Sequence, residues 1–404
     1  MHKEGVMEEA GTEKGILREL YDIFFGKTWP VWVGGILLAV GNICLFVVLK
    51  PWGASGGINN WGQNIYNALG IVKFGSEAKP LAGVSAFPYS VLCLLMLLGA
   101  FSAALLAKEF AVRIPPIGEI IKGLIGGILM GIGAIVGKSC TIGGFFSGIP
   151  ALSIGALVFT IGLVIGVYVA LKYLLFEMEN WPGISSGKSG SFLAASTERA
   201  SLQPLIGAIA LIVAIMIAIG YDKKVLAAYV LFGFFFGAVC QRSRFCLVRA
   251  LREPFMTGES SAPVGAMAGI VVGMMGFAII KFMNPDKEMS WVWPHFFLPA
   301  IIGGTVFGLG MTLAGGCTVG SIWRAGEGQV KLWASVIGMT IAMPLTAKFI
   351  AAPFYKALPA SMKAQVYLPK YVGYTAALVI FLVIILLWYI FVKWNERTGR
   401  FSAL

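Results

Sequence analysis

Histidine is almost absent from this chain, with only His2 and His295 in 404 residues. A His-ligated metal centre or a His-driven hydrolase therefore has little to be built from. Charge is scarce too: 12% of residues are charged against 58% hydrophobic, more apolar surface than one water-soluble core could bury. None of the six cysteines, Cys44, Cys93, Cys140, Cys240, Cys246 and Cys317, belongs to a CxxC pair. Zinc sites, thioredoxin-like centres and a disulfide framework are thus not expected. No GxxxxGK[ST] loop is present to cradle a nucleotide. The first 28 residues mix Lys3, Glu4, Glu8, Glu9, Glu13, Lys14 and Arg18 without a short apolar core and cleavage site, so no secretory signal is read and the first span should direct insertion. No enzyme activity, cofactor or metal is expected.

Long uncharged runs are abundant. Ala82–Ala107 and Leu205–Tyr221 carry no charge and match the roughly 17–25 residues needed to cross about 30 Å of hydrocarbon. Ten candidate spans lie near residues 29–49, 88–107, 121–137, 152–175, 204–221, 225–241, 264–283, 298–316, 332–352 and 372–392. Glycine-rich ones could be half-spanning, so ten counts segments and only provisionally crossings. The fold class is an all-α polytopic membrane protein. The net charge of +12 falls mostly between and beyond these spans, which argues for membrane anchoring and against nucleic acid. With the N-terminus inside, the inward loops carry Lys108, Arg113 and Lys122, then Lys188 and Arg199, then Arg242, Arg244, Arg249 and Arg252, then Arg324 and Lys331. Lys393, Arg397 and Arg400 follow the last span, and Lys363 and Lys370 fall outside, so the positive-inside rule holds on balance. Trp52, Trp61, Trp291 and Trp293 sit in the outward loops and suit the headgroup region.

A shift of 177 residues superimposes Gly126, Gly127, Gly131, Gly133, Cys140, Thr141 and Gly143 on Gly303, Gly304, Gly308, Gly310, Cys317, Thr318 and Gly320 without a gap. Single glycine matches are cheap in a chain with 52 glycines, but the joint Gly-Gly, Gly-x-Gly, Cys-Thr-x-Gly order indicates internal duplication. A weaker echo pairs Gly41-Asn-Ile-Cys44 with Gly237-Ala-Val-Cys240. Five segments per half would force the second half to start from the opposite side, giving two inverted repeats. The organisation read is 1–28 cytoplasmic segment, 29–175 first repeat, 176–203 linker, 204–392 second half and 393–404 cytoplasmic tail.

The glycines spaced four apart, Gly123, Gly127 and Gly131, let another helix approach closely, and packing is the plain reading for them. Packing does not explain Lys138-Ser-Cys-Thr-Ile-Gly-Gly and Gly315-Gly-Cys-Thr-Val-Gly, whose clustered small and polar residues weaken a helix. Cys140 lies about fifteen residues beyond the basic boundary near Lys122, roughly 22 Å at the helical rise and hence within the bilayer. Broken backbone at that depth must be buried in protein or line a polar cavity. Its free N–H groups and the positive end of the following half-helix favour an anion. A free thiol is commonly a buried small hydrophobe, and Cys93 is read that way. Cys140 and Cys317, duplicated within the breaks, are read as soft, weakly hydrogen-bonding groups suited to sulfur or selenium. Cys44, Cys240 and Cys246 stay open. Arg242 and Arg244 are either oxyanion partners or inside anchors, Arg249 and Arg252 read as anchors, and Arg324 with Glu327 reads as a surface salt bridge.

At these residues the chain resembles the YeeE/YedE family of sulfur-transport membrane proteins. The carriers are Gly-Gly-x3-Gly-x-Gly before Cys140, Phe-Phe-Ser-Gly-Ile-Pro at 145–150, Arg-Phe-Cys-Leu at 244–247, Ala-Gly-Gly-Cys at 314–317 and Arg-Ala-x-Glu-Gly-Gln at 324–329. The second and last of these look most like the longer YedE subgroup, which is associated with selenium metabolism. The resemblance implies an hourglass of inverted repeats with short helices entering from each side. It implies an inner-membrane permease for a small sulfur anion, most simply thiosulfate, or a related selenium species. The translocation residues would be Cys140, Cys317 and one of Cys240 and Cys246, with Cys44 as an accessory thiol nearer one mouth. Thr141, Thr318, Gly143, Gly320, Arg242 and Arg244 complete the expected site. A membrane sulfur or selenium transferase with a persulfide on cysteine is the alternative, and a cytoplasmic sulfur-carrier protein is a candidate partner beside the lipid bilayer.

Overall fold

The computed structural model describes residues 21–76, 80–181, 189–192, 202–293, 297–359 and 364–402, with Gly15, Glu19, Gly183, Gly187 and Met362 as isolated positions. Lys188, Arg199, Lys363, His295 and most of the first twenty residues, named above, lie outside them. Within the described residues, nine apolar helical stretches are long enough to cross a bilayer and a tenth falls just short at 17 residues.

In chain order the helices are α1 Val31–Val48, α2 Ser55–Ala68, α3 Pro88–Leu106, α4 Ile117–Val136, α5 Ile154–Asn180, α6 Gln203–Ile219 and α7 Lys224–Ser243. They continue with α8 Leu247–Met256, α9 Ser261–Met283, α10 Leu298–Ala314, α11 Thr318–Gly326, α12 Val330–Leu345 and α13 Tyr374–Thr398. A π-helical turn, Thr141–Phe146, stands between α4 and α5. The starts of α3, α6 and α10 carry proline in the first turn, where a missing N–H costs nothing. The end of α10 is closed by Gly315 at φ 76, whose N–H reaches the carbonyls of Met311 and Thr312.

The repeat seen in the sequence is a repeat of structure. Helices α1, α2, α3, α4, the π-helical turn and α5 correspond to α7, α8, α9, α10, α11 and α12. Their packing is symmetric under exchange: α5 lies on α10 as α12 lies on α4, α3 lies on α7 as α9 lies on α1, and α4 meets α10. At that last crossing Gly126 faces Gly310 while Gly133 faces Gly303, so the two equivalent helices run in opposite directions. A Cβ on Gly126 would stand 2.5 Å from the Gly310 oxygen, and one on Gly303 would stand 2.2 Å from the Gly137 nitrogen. Backbone-to-backbone approach of this kind needs residues without side chains. The pseudo-two-fold axis therefore runs perpendicular to helices that cross the membrane, which is the inverted arrangement. Chain counting agrees, since the first repeat crosses four times and α6 adds a fifth crossing.

The inversion comes from α6 alone, because each repeat holds four long helices and two short segments. Two other features differ from the sequence reading. The 50–87 region, read as a loop, contains α2, whose Ser-Gly-Gly-Ile-Asn-Asn start is a poor helix former held by tertiary bonds. Asn60 Nδ2 donates to the Ala82 carbonyl at 2.9 Å and Ser90 Oγ to Asn60 Oδ1 at 2.7 Å. Within the 176–203 region, α5 extends to Asn180, and a short strand β2, Gly190–Phe192, pairs antiparallel with β1, Val112–Ile114, Val112 opposite Phe192. Arg242, Arg244, Arg324, Arg397 and Arg400 at helix ends, Arg113 in β1 and Arg249 and Arg252 on the short helix α8 lie, by chain counting, on one face, called here the arginine face.

Candidate functional site at the two opposed helix breaks

The short segments are begun by cysteine. Cys140, Cys246 and Cys317 each sit in extended backbone as the residue before a helical segment: the π-helical turn, α8 and α11 respectively. Cys317 acts as a true cap, its sulfur accepting the Gly320 N–H at 3.4 Å. Ala54 occupies the same place before α2, and there the Cys93 thiol donates to the Ala54 carbonyl at 3.5 Å. All four breaks thus have a buried sulfur at or beside their first residue.

These sulfurs converge. A Cβ added to Gly320 would lie 3.5 Å from the sulfurs of both Cys246 and Cys317, and one on Gly143 would lie 3.8 Å from Cys140 Sγ. Cys317 has Cys246 and Cys140 as electrostatic neighbours and Thr141 beside it. Cys240 neighbours Cys317 and Cys246, and Cys93 neighbours Cys140. Cys140 enters after a helix that ends on the face away from the arginines, and Cys317 after one that ends on the arginine face. Elements from opposite sides of the membrane therefore meet at these thiols. Thr141 and Thr318, equivalent in the two repeats, are fully buried hydroxyls; Thr141 is hydrogen-bonded to the Cys317 thiol, while Thr318 has no hydrogen-bond partner among the described residues. A buried hydroxyl without a partner beside thiols, as at Thr318, is suited to a ligand that completes it.

Chemically the place offers thiols, hydroxyls and the N–H groups of short helix starts, all neutral donors in a dry surrounding. That set suits a small anion with soft and hard atoms. Among the described residues no group of three or more His, Cys, Asp or Glu could hold a metal ion.

Several residues stand elsewhere than the sequence suggested. Cys44 is exposed on α1, unlike the other five cysteines, and does not join the buried cluster. Cys93, read as plain packing, is buried near it, with Cys140 as an electrostatic neighbour. The tryptophans read as headgroup residues turn inward: Trp52 is fully buried and stacked on Phe236 at 4.1 Å. Trp291 and Trp293 both donate their indole N–H to the Gly143 carbonyl, at 3.0 and 3.1 Å. A polar indole edge seeks a partner when one is within reach, and the break supplies a free carbonyl. Trp61 is half-buried, its N–H enclosed without a partner among the described residues.

On the arginine face, Arg324 does not pair with Glu327. Its guanidinium turns back to the Gly315 carbonyl at 2.9 Å, while Glu327 is held by Arg244 at 2.5 Å and Arg113 at 3.5 Å. Arg242 is buried, bonded to the Lys27 carbonyl at 2.5 Å and to Glu109 at 3.3 Å. Glu109, unmarked in the sequence reading, thus joins two arginines, taking Arg244 at 2.8 Å as well. No local motif could have signalled it, because its partners lie more than 130 residues away.

A family profile described as sulphur transport matches residues 3–169 and 242–403, the two stretches that carry the paired breaks. The chain belongs to the sulphur transport family. Relatives of this sulphur transport protein include the probable transporter YedE of Escherichia coli K12, 30% identical over 72% of this chain and 74% of the relative. The probable transporter YedE of Salmonella typhimurium LT2 is 28% identical over 78% and 82%. The thiosulfate transporter TsuA of Spirochaeta thermophila is 37% identical over a shorter stretch, 26% of this chain and 31% of the relative. The chain is a multi-pass sulfur-transport membrane protein, and the family hit falls on the elements that form the thiol cluster.

Proposed function

We propose that the chain is an inner-membrane permease for a small sulfur oxyanion, thiosulfate in the first place, with a selenium analogue as the related substrate. The observation that carries this reading is the meeting of Cys140, Cys246 and Cys317 at break starts entering from opposite faces, with Thr141 hydrogen-bonded to the Cys317 thiol and Thr318 left unpartnered among them. The anion is passed between thiols by S–H hydrogen bonds, without covalent change. Its lost hydration is offset by N–H and O–H donors already in place, so no full positive charge has to be buried. Thr141, Thr318, Gly143 and Gly320 belong to this narrow part, the glycines because a side chain there would lie against the sulfurs and cover them. Cys240 is a second-rank thiol beside Cys246 and Cys317. Arg242 holds the N-terminal segment, and Arg244 stands at the arginine-face mouth, which the positive-inside rule assigns to the cytoplasm. A thiosulfate transporter among the relatives supports the choice of anion.

The test is uptake into proteoliposomes containing the purified chain, comparing labelled thiosulfate, sulfide, selenite and sulfate. Thiosulfate or selenite entering well above protein-free vesicles, with sulfate excluded, is the expected result. Equal permeation of sulfate and thiosulfate would remove the soft-atom selectivity that the thiols are taken to provide.

A further inference from the structure

The inverted repeats build the two ends of the central path from equivalent positions, yet the ends differ in chemistry. Two residues before the cap of each repeat's first short helix stand Trp52 and Arg244. The 177-residue shift pairs Phe146 with Trp323. Trp52 meets Phe146 edge-on with ring centroids 6.3 Å apart, and Arg244 lies over Trp323 with its guanidinium 6.0 Å from the ring centre. One end is therefore closed by an aromatic pair and the other by a charge over an aromatic.

That charge is tied across the mouth. Arg244 donates to Glu327 at 2.5 Å and to Glu109 at 2.8 Å. Glu327 is 1% exposed and also accepts from Gln329 at 2.6 Å. Glu109 also accepts from Gln241 at 2.8 Å. The partners belong to different segments: Glu109 follows α3, Glu327 follows the end of α11, and Arg244 closes α7. Since Cys317 caps α11 and Cys246 lies two residues after Arg244, the Arg244 to Glu327 pair staples together the two segments that carry these thiols. Arg244 sits at φ 52, a left-handed posture that an arginine keeps only when its surroundings hold it there.

We propose that the Arg244–Glu327 pair, buttressed by Glu109, is a latch over the arginine-face mouth that an oxyanion opens by replacing a carboxylate on Arg244. The inference rests on the reading of the path as an anion route. A guanidinium binds a carboxylate and an oxyanion through the same fork, so exchange keeps its charge-assisted bonds intact. The released carboxylate then faces the anion and repels it outward, and the latch closes again when the anion leaves. The aromatic pair at the opposite end has no charge to exchange.

The experiment uses inside-out vesicles of the full chain and a membrane-impermeant, charged methanethiosulfonate, with modification of Cys246 and Cys317 read by peptide mass spectrometry. Glu327→Gln should speed labelling of Cys246 by about tenfold, the scale of one lost hydrogen bond to a charged group. Glu109→Gln, at a 31% exposed carboxylate, should give a smaller rise. In the parent, sulfate should speed labelling and chloride at matched ionic strength should not. Labelling of Glu327→Gln within about twofold of the parent overturns the latch, and equal effects of sulfate and chloride overturn its displacement by an oxyanion. Should Glu327→Gln fail to fold, Glu109→Gln decides by the same criterion. The readout does not depend on thiosulfate transport, so thiosulfate uptake that fails while labelling responds would overturn the proposed substrate and leave the latch standing.

Discussion

Cysteine at the first residue of a short helix serves two ends with one side chain. Cys317 accepts the Gly320 N–H as a cap would, and a thiol carries a hydrogen of its own to donate as well. Gly320 and Gly143 leave the sulfurs uncovered. Glycine performs a different task at the α4 to α10 crossing, and that task is open to measurement. Gly303→Ala would set a Cβ 2.2 Å from the Gly137 nitrogen, an overpacking expected to cost about 1–3 kcal/mol. A lowered thermal midpoint in detergent is predicted, while Gly83→Ala, with nothing within 4 Å, should leave it unchanged. The duplicated cysteines were legible because the glycine and threonine around them repeat in register. Cys93 was not, since its thiol projects from the featureless apolar run of α3 and its neighbours come from distant segments.

Among the elements, the breaks needed anchors that the sequence did not announce. The Gly143 carbonyl, freed by the π-helical turn, accepts both Trp291 and Trp293. Trp291→Phe together with Trp293→Phe should leave that carbonyl unpaired and destabilise the protein by about 1–3 kcal/mol. Faster thiol labelling of Cys140 from the face away from the arginines would report the same loosening. Spans were readable from apolar length, which fixes a membrane helix without regard to its neighbours. Helix α2 was hidden because Gly56, Gly57, Asn59 and Asn60 oppose helix locally and only tertiary hydrogen bonds override them. The misread partner of Glu327 has a similar cause: Arg324 is three residues away along the chain, but it folds back along α11 to Gly315, leaving the carboxylate to Arg244 and Arg113.

For the whole molecule, the odd helix α6 turns a duplicated unit upside down. This brings Cys140 and Cys317, each near the end of its own repeat's glycine-rich helix, toward one centre from opposite sides. Equivalent positions then carry unlike groups, Trp52 with Phe146 in one repeat and Arg244 with Trp323 in the other. The duplication and its inversion were visible in the sequence, whereas this asymmetry emerged only once the short segments were in place. The central claim is that the converging thiols carry the solute. Its most direct test is initial-rate thiosulfate uptake by proteoliposomes holding equal amounts of folded parent and of the Cys140→Ala/Cys317→Ala double variant. Removing two soft donors from the narrowest point should slow uptake by about tenfold or more. Uptake by the double variant as fast as by the parent would contradict the thiol route.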